Sequence, residues 1–145
     1  MIIRLLPDQI PQLWDAIKVA CKESIHINGD DLLVYTNKLL HLLLSDRAQC
    51  FVELNSDRRV VTIAVTRIVI DNYSNDKILL MEPVYAFEKN TLNGLRYALD
   101  VIKKFASSNE CTKLITNSRI EAMYRLLPML GFEEYSRNFS VNTRS

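Results

Sequence analysis

Cysteine and histidine are sparse in this chain: Cys21, Cys50 and Cys111, with His26 and His41, in 145 residues. The cysteines are odd in number and far apart, and no Cys-x-x-Cys pair occurs. The residues therefore support neither a zinc site nor a disulfide framework, and reduced, buried thiols are expected. Neither histidine has a neighbouring Ser, Cys or Asp in a triad-like pattern. Long apolar runs are missing too. Arg4, Pro7 and Asp8 interrupt the segment from Met1 to Ile10, and nothing approaches the ~18 residues a membrane span takes. The expectation is a soluble cytoplasmic protein without a signal peptide. Lys and Arg number 18 against 17 Asp and Glu, a net charge of +1. Such a surface sets up no field that would gather nucleic acid or anionic lipid. Internal repeats, linkers and low-complexity segments are absent.

What is present suits a single domain over residues 1–145, since hydrophobic content of 48% with 24% charged residues is ordinary for a globular chain. A domain of this length buries roughly 70% of the surface its unfolded chain exposes. Ile2 to Leu6 suits a first strand. Pro7-Asp8 then opens a helix, Asp8 as N-cap, with a stripe of Ile10, Leu13, Trp14, Ile17 and Val19-Ala20. Asn28-Gly29-Asp30 ends that helix, and Asp30 or Asp31 caps a second one carrying Leu32, Leu33, Tyr35, Leu39, Leu40 and Leu43.

From Gln49 the period changes to two. Cys50 to Leu54 is a strand, Asn55-Ser56-Asp57 a turn, and Arg59 to Asp71 a long β-branched strand. Asn72 to Asp76 is a second turn, and Lys77 to Phe87 pairs back. Pro83 cannot donate to a ladder, so it predicts a bulge or splay near Glu82. The polar turn Glu88-Lys89-Asn90 leads into a helix opening near Thr91, with Leu92, Leu95, Tyr97-Ala98-Leu99, Ile102 and Phe105 on its inner side. A buried strand feeding a helix N-terminus aims backbone N–H groups and the positive end of the helix dipole at one spot, where phosphate groups are often held. Cys111 to Thr116 returns as a strand parallel to its predecessor. Ser118-Arg119-Ile120-Glu121 reads as a capping box opening a last helix that Gly131 closes. Phe132 to Tyr135 and Phe139 to Val141 then supply one or two final strands.

This order, β-α-α-β-β-β-α-β-α-β(-β), resembles the GNAT acetyltransferase superfamily over nearly the whole chain. The strand-turn-helix at 78–99 and the ending Leu130-Gly131-Phe132 strengthen the likeness. The resemblance implies an α/β (α+β) fold on a mixed central sheet, with an acetyl-CoA loop between the central strand and its helix. Laying that loop's last glycine on Gly94 puts Lys89 at its basic position and Leu92 where the family has a glycine. The cofactor segment it implies is Lys89, Asn90, Leu92, Asn93, Gly94 and Leu95. The position of the family's general-acid tyrosine is Leu127, and Tyr124, nearly a turn earlier, is the available substitute. Ile120 takes the position, seven before that tyrosine, where the family often has an asparagine or similar polar residue. Glu82, a carboxylate on the expected bulge, stands where a general base would act on an amine.

Two functions follow from the resemblance. In the first, Leu92, Leu127 and Ile120 fill the site, and the fold serves as a non-catalytic structural or assembly protein. That protein would need no cofactor and would sit among other proteins of an assembly, such as a bacteriophage virion or a homo-oligomer. In the second, the chain is a divergent N-acetyltransferase using acetyl-CoA, with Glu82 and Tyr124 catalytic. Neither involves a metal, nucleic acid or a membrane. Host cytoplasm or a virion is the expected location if the chain is phage-encoded.

Overall fold

The computed structural model describes residues 1–144. Five strands, β1 (Ile2–Arg4), β2 (Gln49–Leu54), β3 (Val60–Ile70), β4 (Lys77–Ala86) and β5 (Lys113–Thr116), form one sheet in that order. The first four run antiparallel to their neighbours and β5 runs parallel to β4. Helices α1 (Ile10–Ile25) and α2 (Gly29–Leu44) cover one face, α3 (Leu92–Ser108) covers the other, and α4 (Glu121–Met129) follows β5. No helix among the described residues is long and apolar enough to cross a membrane.

Period-two alternation in the strands divides their side chains between two cores. Cys50, Val52, Ile63 and Val65 face α1 and α2, where they meet Ile10, Ile17, Ala20, Cys21, Leu39 and Leu43. Phe51, Ala64, Leu79 and Met81 face α3 and meet Leu99, Ile102 and Ala106. Burying each large apolar side chain stabilises the fold by about 1.5–3 kcal/mol, so these layers hold the sheet. The turns between strands are closed by side chains, as expected from their composition. The Asn55 side-chain carbonyl accepts from the Asp57 and Arg59 amides, both at 2.9 Å. Asp71 accepts from the Tyr73 amide at 3.1 Å and the Ser74 hydroxyl at 2.9 Å.

The structure corrects the sequence reading at several element ends. Asp8 does not cap α1: Pro7–Gln9 form a 3-10 turn, and the Gln9 side chain accepts from the Leu6 amide at 2.8 Å instead. Val19 is turned to solvent, off the buried stripe of α1. That helix stops at Ile25, before the Asn28-Gly29-Asp30 turn, because His26 adopts the left-handed conformation at φ 58°. Gly29 already lies in α2, which places Asp30 and Asp31 in its first turn rather than at its cap. Both charges there still favour the helix N-terminus. Strand β5 begins at Lys113, because the Cys111 amide is held by the Ala106 carbonyl at 2.9 Å as α3 ends.

Two further corrections concern the chain's end. The capping box at Ser118 does not form, since Ile120 stays extended at φ −99°, ψ 120° and α4 starts at Glu121. The Ser118 hydroxyl accepts the Ile120 amide at 3.1 Å, a local turn that competes with helix. The strands expected at Phe132 to Tyr135 and Phe139 to Val141 are not formed either. Glu134 is tied within its own segment to Arg137 at 2.7 Å, and no backbone hydrogen bond joins residues 133–144 to another strand. Phe139 and Val141 stay almost fully exposed, so ordering them as a strand gains too little burial to offset its entropy.

Candidate functional site

The β4 strand carries the irregularity that Pro83 predicts. Ala64 pairs with Val84 but Thr66 pairs with Met81, so Val65 alone faces Glu82 and the buried Pro83. The peptide bond between Glu82 and Pro83 is cis. On the other side of β4, pairing with β5 runs from Ile78–Lys113 to Met81–Thr116 and stops there. The Thr116 hydroxyl caps that last pair by donating to the Met81 carbonyl at 2.8 Å. Strand β5 ends there, so β4 runs on without a parallel partner, and Glu82 is its first residue past the junction. Strand backbone without a ladder partner is free to bond a ligand.

Glu82 is half-buried. Because Leu79 and Met81 face α3, strand alternation turns Glu82 toward α1 and α2. Its surroundings agree: burial pushes the Cys21 thiol up from 9.0 to about 12, and the Glu82 carboxylate adds to the rise. Burial also raises the Tyr35 phenol, with Cys21 and Glu82 adding and Arg67 opposing. Tyr35 from α2 and Arg67 from β3 thus share the surroundings of Glu82. Nothing in their local sequence signals this, because the grouping arises only when α2 packs on the sheet. Cys50 is raised to about 12 by burial first and Cys21 second, so both buried thiols stay neutral and unreactive around pH 7.

Tyr124 is 55% exposed and its hydroxyl donates to the Ser118 carbonyl at 3.1 Å. This bond holds the phenol against the segment just after β5. Pro128 lies inside α4 and removes the amide that would have bonded the Tyr124 carbonyl. Leu127 instead serves the helix end, its carbonyl accepting from both Leu130 and Phe132 at 3.0 Å.

At the start of α3, Thr91 is the N-cap and its hydroxyl accepts from the Gly94 amide at 3.0 Å. Asn90 accepts from the Thr91 amide at 2.8 Å and donates to the Glu53 carboxylate on β2. A Cβ at Gly94 would stand 2.4 Å from the Asn90 side-chain oxygen and 3.1 Å from the Thr91 hydroxyl. Gly94 is therefore a glycine because Asn90 folds back over it, a packing reason that the loop pattern did not disclose. The amides of Leu92 and Asn93 have no hydrogen-bond partner among the described residues. They are the two N–H groups of this helix end open to an anion. Lys89 and Asn93 are exposed, while Leu92 and Leu95 are half-buried.

No protein-family model and no curated protein matches the sequence, whereas solved structures match its fold along its whole length. The aminoglycoside 6'-N-acetyltransferase AAC(6')-Ih from Acinetobacter baumannii superposes with a TM-score of 0.74 at 11% identity, over 100% of this chain and 98% of its own. The aminoglycoside N-acetyltransferase AAC(6')-Iy, solved in complex with CoA, gives 0.66 at 13% identity, over 100% of both chains. A ribosomal-protein-alanine N-acetyltransferase from Brucella melitensis biovar Abortus gives 0.66 at 16%, over 98% and 99%. The chain has the GNAT acetyltransferase fold. Nothing in these comparisons points to a virion or assembly role.

Proposed function

We propose that this protein is an acetyl-CoA-dependent N-acetyltransferase. The observation that carries the reading is the end of the β4–β5 pairing at Met81–Thr116, just before Glu82 and Pro83. Glu82 lies just past that last pair on β4, and the hydroxyl of Tyr124 is held by Ser118, just after β5. The start of α3 suits a pyrophosphate, with the unpartnered amides of Leu92 and Asn93 beside the exposed Lys89. When bound, acetyl-CoA supplies an acetyl group activated as a thioester. Asn90 and Thr91 fix the loop through Glu53 and the Gly94 amide, so the helix end is pre-formed. Leu92 replaces a glycine of the resembled loop, and its half-buried side chain leaves the backbone amides as the anion-holding groups.

Glu82 takes the proton from the acceptor amine, which a half-buried carboxylate beside a strand bulge is placed to do. Tyr124 Oη holds a proton, directed by the Ser118 carbonyl. The assay is release of CoA thiol from acetyl-CoA with a panel of primary amines. The reading predicts amine-dependent release that Glu82→Gln lowers by about 100-fold or more, the usual scale of general base catalysis. Release that is absent with every amine, or unchanged in Glu82→Gln, would count against it.

A further inference from the structure

Val65 packs in the core beneath α1 and α2, and Ile68 packs against the core beneath α3, so strand alternation puts Arg67 on the α1 and α2 face. Arg67 pairs directly with Leu80, and Glu82 lies two residues further along β4 on that same face. Residues so related across antiparallel strands are diagonal neighbours about 7–8 Å apart, within reach of long side chains. Yet among the described residues neither Arg67 nor Glu82 forms an ion pair. Tyr35 of α2 stands near both charges: burial and Cys21 raise its phenol most, Glu82 adds to the rise and Arg67 opposes it. The phenol stays protonated around pH 7 and keeps an O–H to donate. One face of the sheet thus holds a carboxylate, a guanidinium and a hydroxyl, with the two charges unpaired.

We infer that the acceptor is an α-amino acid, its ammonium set on Glu82 and its carboxylate on Arg67. The inference rests on the acetyltransferase reading and names the acceptor for it. A free α-amino acid carries opposite charges one carbon apart, so a single molecule gives both lone side chains a partner. An amine without a carboxylate would satisfy Glu82 and leave Arg67 unpaired. Guanidinium can hold a carboxylate through two parallel N–H bonds, and that grip also fixes the direction in which the neighbouring amine points. The ammonium gives one proton to Glu82. The freed nitrogen then forms its bond to the acetyl carbon as the carbon–sulfur bond breaks, and the second proton goes to the leaving thiolate.

The test is the rate of CoA thiol release from acetyl-CoA with each common α-amino acid, set against the decarboxylated amine of the same side chain. The ratio of the two kcat/KM values is the readout, because within one preparation it does not depend on the fraction of chain folded. Wild type is expected to favour its best amino acid by about 30-fold or more, chiefly through KM, the scale of one bond between charged groups. Arg67→Met should bring the ratio close to one, Arg67→Lys should recover part of it, and Arg67→Glu should invert it. A wild-type ratio near or below one overturns the proposal, and so does a preference that survives Arg67→Met. In both cases amine-dependent release continues, so the acetyltransferase reading stands. Release absent with every amine overturns that reading, and the acceptor assignment with it.

Discussion

Every apolar side chain that the fold buries lies between Leu5 and Ala106, and from Ser107 to Arg144 none is buried. The first region is a sheet with helices on both faces, its cores filled from alternating strand positions. The second holds β5, α4 and the tail, and it keeps Tyr124, Met129, Tyr135, Phe139 and Val141 largely in solvent. The difference teaches where rigidity is placed. Glu82 and the start of α3 are fixed to the packed region, whereas Tyr124 is carried on a helix with no buried residue. Glu82 is thus built into the platform, whereas Tyr124 rides on an element held by few buried contacts.

The contrast predicts unequal sensitivity to substitution. Ile17→Ala, at a side chain with 0% exposure, should lower stability by about 3 kcal/mol through lost burial and the cavity it leaves. Chemical denaturation with a two-state fit measures it, and a loss below about 1 kcal/mol would remove the distinction between the regions. Alkaline titration probes the same core. Cys21 and Cys50 have folded pKa values raised to about 12 from 9.0. The stability they contribute is therefore complete below pH 9 and is lost as pH rises from 9 toward 12. Between pH 9 and 10 the loss should be on the order of 2 kcal/mol, and Cys21→Val should remove roughly half of it.

A smaller effect sharpens the comparison at the α3 end. Gly94→Ala forces the Asn90 side chain away, breaking its bonds to Glu53 and to the Thr91 amide. The expected net cost is about 1 kcal/mol after the gain in helix propensity. In an Asn90→Ala background the same change should become stabilising, a reversal of sign that a double-mutant cycle reads directly. Tyr135→Ala, in the uncovered region, should shift monomer stability by no more than about 0.5 kcal/mol. A loss comparable to that of Ile17→Ala would mean that the tail is packed after all.

Much of this platform is legible in the sequence because its signals are local. The β-branched run from Val60 to Ile70 forms its strand with the expected bounds to within a residue, and Pro83 announces the irregularity at Glu82 because a missing amide has a fixed structural consequence. The terminal strands were illegible for the opposite reason: whether Phe139 and Val141 form a strand depends on a partner edge, which is not a property of the segment. Ser118 shows a related limit, since the same hydroxyl that would cap a helix satisfies an extended Ile120. At the site, Asn90 and Gly94 were recognisable as loop residues. Their bond to Glu53, 37 positions away, exists only once β2 and α3 meet.

The central claim is that β4 past its last pair with β5 and the start of α3 form a site for acetyl-CoA, and calorimetric titration of the purified chain with that ligand tests it most directly. The account predicts one molecule bound per chain at micromolar affinity. It also predicts at least about tenfold weakening in Asn93→Glu, which sets a carboxylate beside the two free amides from an exposed position. No heat at millimolar ligand, or binding indifferent to that charge, would contradict it.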